Sequence, residues 1–308
     1  MGYYDSPSEQ AFRRAGPLYH LYTKPLESDS LYKDQLDRIT VMNLLAISLS
    51  NSGCVLLAFS MMSNHFHFIL EGEIESILSF FGNLMSRLTK YYRYHGKSID
   101  LAKMEPGYTS IDNLRQFRNE LAYVVRNSFV VQPSVNVFAD QWSSGYLYFN
   151  PLLSRDGVPG NTLTVREKRR LTQSRLKMEI GPSLFVKEGM IQPWSFVDYR
   201  AVESFYDSAR QYVYSVMKNT EAQIETSLRY GEIPQLADEE LFPAMYKLCR
   251  EVLRADSPGI LDYRGKQELA KLLKNKYYAS NGQIARVVKM PLDDVNVLFP
   301  LVTKNQIK

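Results

Sequence analysis

Cysteine is nearly absent. Cys54 and Cys249 are the only two in 308 residues, and they lie far apart in the sequence. That excludes a disulfide framework and a cysteine-based metal motif, and it fits a reducing compartment. Cys54 opens an apolar strand and reads as a small core residue. No apolar run approaches the ~20 residues needed to span a bilayer. The first stretch, MGYYDSPSEQAFRRAG, has no apolar signal core. A soluble, cytoplasmic protein with no membrane partner is expected. Net charge is also small, 37 Lys and Arg against 33 Asp and Glu. Such a balance permits nucleic-acid binding without arguing for it. Histidine is scarce as well, four in all, which gives weight to where two of them fall.

They fall in CVLLAFSMMSNHFHFILEG, residues 54–72. Two apolar runs flank Ser63-Asn64, and the second carries His65 and His67 around Phe66. In a strand, residues i and i+2 share a face. His65 and His67 would then project side by side, with Phe66 and Phe68 turned into apolar packing. Two imidazoles on one rigid face can chelate a divalent ion, although an H-x-H pair is a weak pattern by itself.

The length suits about two domains, and 45% apolar residues suffice for a core. Residues 1–15 read as a loose arm, and LYHLYT (18–23) as a strand carrying His20, a lone histidine within reach of a neighbouring strand. Apolar spacing predicts helices over 31–51, 73–95 and 112–127, the last with Asp112 as N-cap. Residues 98–111 read as a loop around Pro106-Gly107, and 131–150 as a loop with a Trp-Ser-Ser turn. This order predicts an α+β fold, an antiparallel sheet with helices packed on it, over 1–150.

Helix 73–95 carries a second pattern. Between Ser76 and Lys97 there is no acidic residue, while Arg87, Lys90, Arg93 and Lys97 recur at three- and four-residue steps. The stripe is either a solvated face or a phosphate track. Tyr91 and Tyr94, interleaved with it, suit base stacking and favour the track. In helix 112–127, Tyr123 and Asn127 are four apart and share a face. A tyrosine among Leu121, Val124 and Val125 is commonly packing, and Asn127 would serve as a helix C-cap. The histidine strand is what gives the pair a chemical reading. After residue 150 the balance turns basic, 24 against 19, compared with 13 against 14 before it. A linker over 150–164, a basic helix at 166–177, and helices at 197–230 and 238–255 predict a mostly helical region over 151–308. Three short helices at about 265–299 have a helix-turn-helix rhythm, which many helical hairpins share.

MMSNHFHFILEG resembles the histidine–hydrophobe–histidine strand of the HUH single-strand nucleases. It is closer still to the single-tyrosine transposases of small insertion sequences and their REP-associated relatives. The YHLYT strand, the helix near Asp37-Arg38, and LAYVVRN followed by QWSS fall in that family's order, over about residues 16–150. Ser63 stands where the family has Pro, and Ser128-Phe129 where it has Pro-Val. Its G-[ST]-h-[FW]-Q segment is not recognisable in 96–111. The resemblance implies a ferredoxin-like HUH fold with His65, His67 and Asn127 as ligands of Mg²⁺ or Mn²⁺. It makes Tyr123 the nucleophile, attacking single-stranded or hairpin DNA to leave a 5′-phosphotyrosine. Trp142, Ser143 and Ser144 match a structural turn. A homodimer is compatible with this reading, and a DNA-binding protein that keeps the fold without catalysis is the alternative.

Overall fold

The computed structural model describes residues 6–26, 29–50, 52–131, 136–174, 179–218, 238–277 and 279–300. A four-stranded antiparallel sheet is built from β1 (Leu18–Thr23), β2 (Val55–Met61), β3 (Phe66–Glu71) and β4 (Pro106–Ser110), in the order β2-β3-β1-β4. Helix α1 (Pro7–Arg14) precedes β1. Helix α2 (Gln35–Leu49) joins β1 to β2, α3 (Ile74–Tyr94) joins β3 to β4, and α4 (Leu114–Val131) follows β4. The expected α+β class holds at this level. Among the described residues no helix is long and apolar enough to cross a membrane.

Period-two alternation decides how the sheet is dressed. Phe66 and Phe68 stack at 5.7 Å, and Phe68 meets Phe80 of α3 edge-on at 5.8 Å. The intervening His67 points the other way and meets Tyr123 of α4. So α3 and α4 cover opposite faces of β3. The outer edge of β2 is closed by other chain segments, which removes an exposed pairing edge. Met61 N–H donates to the Trp142 carbonyl at 2.9 Å, and Asp198 N–H to the Leu56 carbonyl at 2.9 Å. Ser144 Oγ accepts from Phe59 N–H at 3.0 Å. Trp142, Ser143 and Ser144 thus act structurally, as a plug on β2.

Several local expectations are corrected. The arm before residue 15 contains α1, because Ser6 accepts from Glu9 N–H, Glu9 reaches back to Ser6 N–H, and Pro7 sits at the first turn. The loop at 98–111 contains β4, an edge strand where Pro is tolerated at the first position. Gly107 there lies under the Tyr22 ring, which leaves no room for a Cβ. The side chain that caps α4 is Asn113, not Asp112: its Oδ1 accepts from Gln116 N–H at 2.9 Å.

The chain divides into two compact units. One comprises residues 1–24 and 31–230, the other 25–30 and 231–308. The first unit therefore runs well past residue 150. Here α5 (Val165–Thr172) and a small sheet of β5 (Val158–Pro159), β6 (Phe185–Lys187) and β7 (Met190–Ile191) pack on α2. Leu171, Ile180, Leu184, Val186 and Ile191 form one buried cluster with Ala46 and Ile47. Buried Asn43 ties this segment down with three hydrogen bonds. It donates to the carbonyls of Leu171 and Gly189 at 2.9 Å each, and accepts from Ile191 N–H at 2.7 Å. Helices α6 (Tyr199–Ser204) and α7 (Ala209–Lys218) complete the unit. The single helix expected at 197–230 is instead two helices broken at 205–208, and its part over 219–230 lies outside the described residues. The second unit holds α8 (Asp238–Glu251), α9 (Tyr263–Tyr277), α10 (Asn281–Val288) and α11 (Leu292–Leu298). The α10 to α11 turn passes through Lys289 at φ 58°.

Replacing Asn43 by Ala takes the partner from three backbone groups, two of them in buried bonds. We expect urea denaturation to show a loss of about 3 kcal/mol, whereas Ser154→Ala on the surface stays within about 0.5 kcal/mol.

Candidate active site

Strand pairing assembles the site. β1 and β3 are antiparallel neighbours, with Tyr22 opposite His67 and His20 opposite Ile69. His20 and His67 therefore lie diagonally on one face, within reach of each other. Their rings are 5.3 Å apart, and His20 Nε2 and His67 Nδ1 are 3.1 Å apart. His65 does not lie within the strand. It sits at the hairpin end, where its carbonyl accepts from Met62 N–H at 3.0 Å. Its ring still meets His67 edge-on at 4.9 Å, so the pair expected from the H-x-H spacing is adjacent.

Helix α4 closes over this face. The Tyr123 ring is 5.3 Å from His67 and 5.8 Å from His20. Glu120, one turn earlier, brings Oε2 to 3.0 Å from His20 Nδ1. Asn127 is buried one turn later, its Nδ2 donating to the Tyr123 carbonyl at 3.3 Å. The helix is pinned by Arg118, which donates from Nε and Nη2 to the Phe205 carbonyl at 3.0 and 2.8 Å. His20 and His67 are fully buried, and Tyr123 is 3% exposed. The Tyr123 ring already rests on His67, so no swing of α4 is needed to bring the two together. Opening, however, is needed for anything large to reach them.

In the sequence His20 reads as a lone histidine and Glu120 as one more helix carboxylate. The available signal was a single carboxylate in the apolar stripe of α4, three residues before Tyr123.

Burial sets the protonation of the pair. It pulls His65 down to about 4, and it holds His67 well below the usual histidine range, with His65 and His20 adding repulsion. Both imidazoles are neutral at pH 7, the form a metal requires. Among the described residues no three His, Cys, Asp or Glu side chains converge as a metal ligand set. His20 bonds to Glu120 and His67 instead of joining the pair. His65 Nδ1 is 2.7 Å from Asn64 Oδ1 and His67 Nδ1 is engaged with His20, which orients both rings. Two oriented neutral imidazoles are ligands a divalent ion accepts, while the Asn127 amide bonds to its own helix.

The basic stripe on α3 divides in two. Arg87, Lys90, Tyr91 and Tyr94 line a cleft of about 450 Å³, together with Leu44, Asn83 and Ser86, and with Thr172 to Ser174 after α5. Among the described residues no acidic one lines it. Tyr94 is 56% exposed, and Arg93 is exposed beside it. Lys97 and the Tyr91 hydroxyl are diverted. Both bond to buried Asp37, which takes a third bond from Lys33 N–H at 2.8 Å. Burial opposes ionisation of Asp37, but these donors outweigh it and hold the carboxyl below its usual value. Lys97 and the Tyr91 hydroxyl thus brace the fold through Asp37, while the Tyr91 side chain still lines the cleft.

The His65 shift has a testable sign. Its folded value lies below the unfolded one, so the unfolded state binds more protons as pH falls from about 6.5 to about 4. In EDTA, stability should drop across that window by up to about 3 kcal/mol. The His65 ring resonances should titrate near the lower end, and a midpoint near 6.5 would contradict the burial argument. Compared with known proteins, the chain matches no family model, no curated protein and no solved structure.

Proposed function

We propose that the chain is a metal-dependent DNA strand transferase of the single-tyrosine HUH kind, acting on single-stranded or hairpin DNA. The observation that carries this reading is the packing of Tyr123 against His67, with His65 alongside. Support comes from the β-α-β-β-α-β order with sheet order 2-3-1-4, which is the ferredoxin-like arrangement. His65, His67 and Asn127 would hold Mg²⁺ or Mn²⁺, which would supply Lewis acidity toward a scissile phosphate oxygen. Tyr123 Oη attacks the phosphorus in line. A P–Oη bond forms, the P–O3′ bond breaks, the phenol gives up its proton, and the leaving 3′ oxygen takes one up. The 5′-phosphotyrosine keeps the bond energy, so a 3′-OH attacking in reverse rejoins the strand without ATP. Arg87 and Lys90 in the α3 cleft, with exposed Arg93 outside it, suit the phosphates of the strand, and exposed Tyr94 suits base stacking. The helix-turn-helix look of α9 to α11 supports a duplex contact less well, since α11 carries Asp293 and Asp294 and no cation.

A second reading is a DNA-binding protein on the same fold without catalysis. The enclosure of Tyr123 and the turning of the Asn127 amide onto its own helix favour it.

With labelled single-stranded hairpin DNA and Mn²⁺, drawn from random or gene-flanking sequence, the first reading expects a covalent band on a denaturing gel. The band is lost in Tyr123→Phe and in EDTA. A native-gel shift with no covalent band supports the second reading, and neither signal rejects both. Replacing Arg87 and Lys90 together by Ala should weaken single-strand affinity about tenfold at moderate salt. It should also flatten the log–log salt dependence by about 1.4, or ~0.7 per lost phosphate contact. An unchanged slope would place the strand elsewhere.

A further inference from the structure

We propose that Arg38 is a phosphate-binding residue beside the reactive centre, holding a diester of the strand next to the one that Tyr123 attacks. Its guanidinium lies between two aromatic rings, 5.2 Å from the centroid of Tyr32 and 5.5 Å from that of Trp142. Rings hold a guanidinium by its flat faces and leave the N–H edge for in-plane hydrogen bonds to a phosphate or carboxylate. Among the described residues no acceptor takes that edge. Three carboxylates stand near Arg38 in the chain or beside its stacking partner, and none pairs with it. Asp34 accepts from Asp37 N–H at 2.9 Å, Asp37 holds Lys97 and Tyr91, and Asp140 accepts from Trp142 N–H at 3.0 Å. Asp140 Oδ2 is buried with no partner among the described residues. An arginine that served only to brace this corner would pair with it.

The stacking residues tie Arg38 to the hairpin that carries the histidines. Leu31, next to Tyr32, donates its N–H to the Ser63 carbonyl at 2.6 Å. The Trp142 carbonyl accepts from Met61 N–H at 2.9 Å, and Met62 N–H donates to the His65 carbonyl at 3.0 Å. Arg38 therefore stands at the end of the β2–β3 hairpin where His65 meets His67. Arg87 and Lys90 do not serve this end, because α3 covers the face of β3 opposite Tyr123. A contact of this kind sets the register of the strand without reading its sequence. Stacking has already restrained the side chain, so less freedom is lost when an anion binds. That the anion is a DNA diester rests on the function proposed above; the anion site itself does not.

The test uses protein labelled with ¹⁵N in arginine, the Arg38 Nε–H resonance being assigned by its loss in Arg38→Lys. In EDTA, single-stranded DNA that shifts the protein in a native gel should move that resonance. Arg38→Gln should weaken binding several-fold and flatten the log–log salt dependence by ~0.7, the loss of one phosphate contact. Neutral methylphosphonate linkages, placed one at a time along the same oligonucleotide, should reveal one position that weakens wild-type binding and leaves Arg38→Gln binding unchanged. Bound DNA that leaves the Arg38 resonance in place overturns the proposal, and so does a scan with no such position. A resonance that ignores DNA and pyrophosphate but responds to Asp140→Asn identifies an ion pair with Asp140, which also overturns it. If no oligonucleotide binds, the DNA function fails, and pyrophosphate decides the anion site: movement of the resonance supports it and no movement overturns it. If Arg38→Gln fails to fold, the wild-type and Asp140→Asn titrations decide.

Discussion

The alternation of β3 is the constraint on which the rest depends. One face of the strand is Phe66 and Phe68, stacked and set against α3. The other is His67, flanked by His65 and covered by α4. A one-residue slip would exchange the two faces, burying imidazoles under Phe80 and turning phenyl rings toward Tyr123. The apolar packing on one side therefore fixes the polar geometry on the other.

A buried polar site is costly unless each member is bonded. The Glu120–His20–His67 chain meets that requirement with side chains from three elements. Its neighbours meet it with local contacts: His65 against Asn64, and Asn127 against its own helix. Asp37 plays a comparable part on the other face of the sheet, gathering Lys97, Tyr91 and the Lys33 backbone around one ionised carboxylate. Both clusters take residues whose sequence spacing suggests surface chemistry and place them inside. In the first case the result is a candidate reactive centre; in the second it is a brace between α2 and the end of α3.

The segment after residue 150 shows how far one buried amide reaches. Asn43 on α2 satisfies three backbone groups of a stretch more than a hundred residues away. That stretch brings α5 and its following turn to the α3 cleft, so Arg87 and Lys90 share the cleft with Thr172 to Ser174.

The sequence by itself determined the elements with strong local periodicity. β1, β2, β3, α2, α3 and α4 lie within a few residues of where alternation and helical spacing put them, and so do α8 to α11. The adjacency of His65 and His67 followed from a spacing of two, because successive side chains of an extended chain alternate. The capping box of α1 was also legible in Ser6, Pro7 and Glu9, and Pro106-Gly107 hid an edge strand behind a turn signal. The tertiary structure alone decided the rest. His20 reads as solitary until antiparallel pairing sets β1 beside β3, and Glu120 reads as one more helix carboxylate until α4 lies across them. Lys97 reads as part of a stripe until Asp37, 60 residues earlier, claims it. Each depends on which residues of distant elements meet. Local propensity carries no information about that; burial and strand register do.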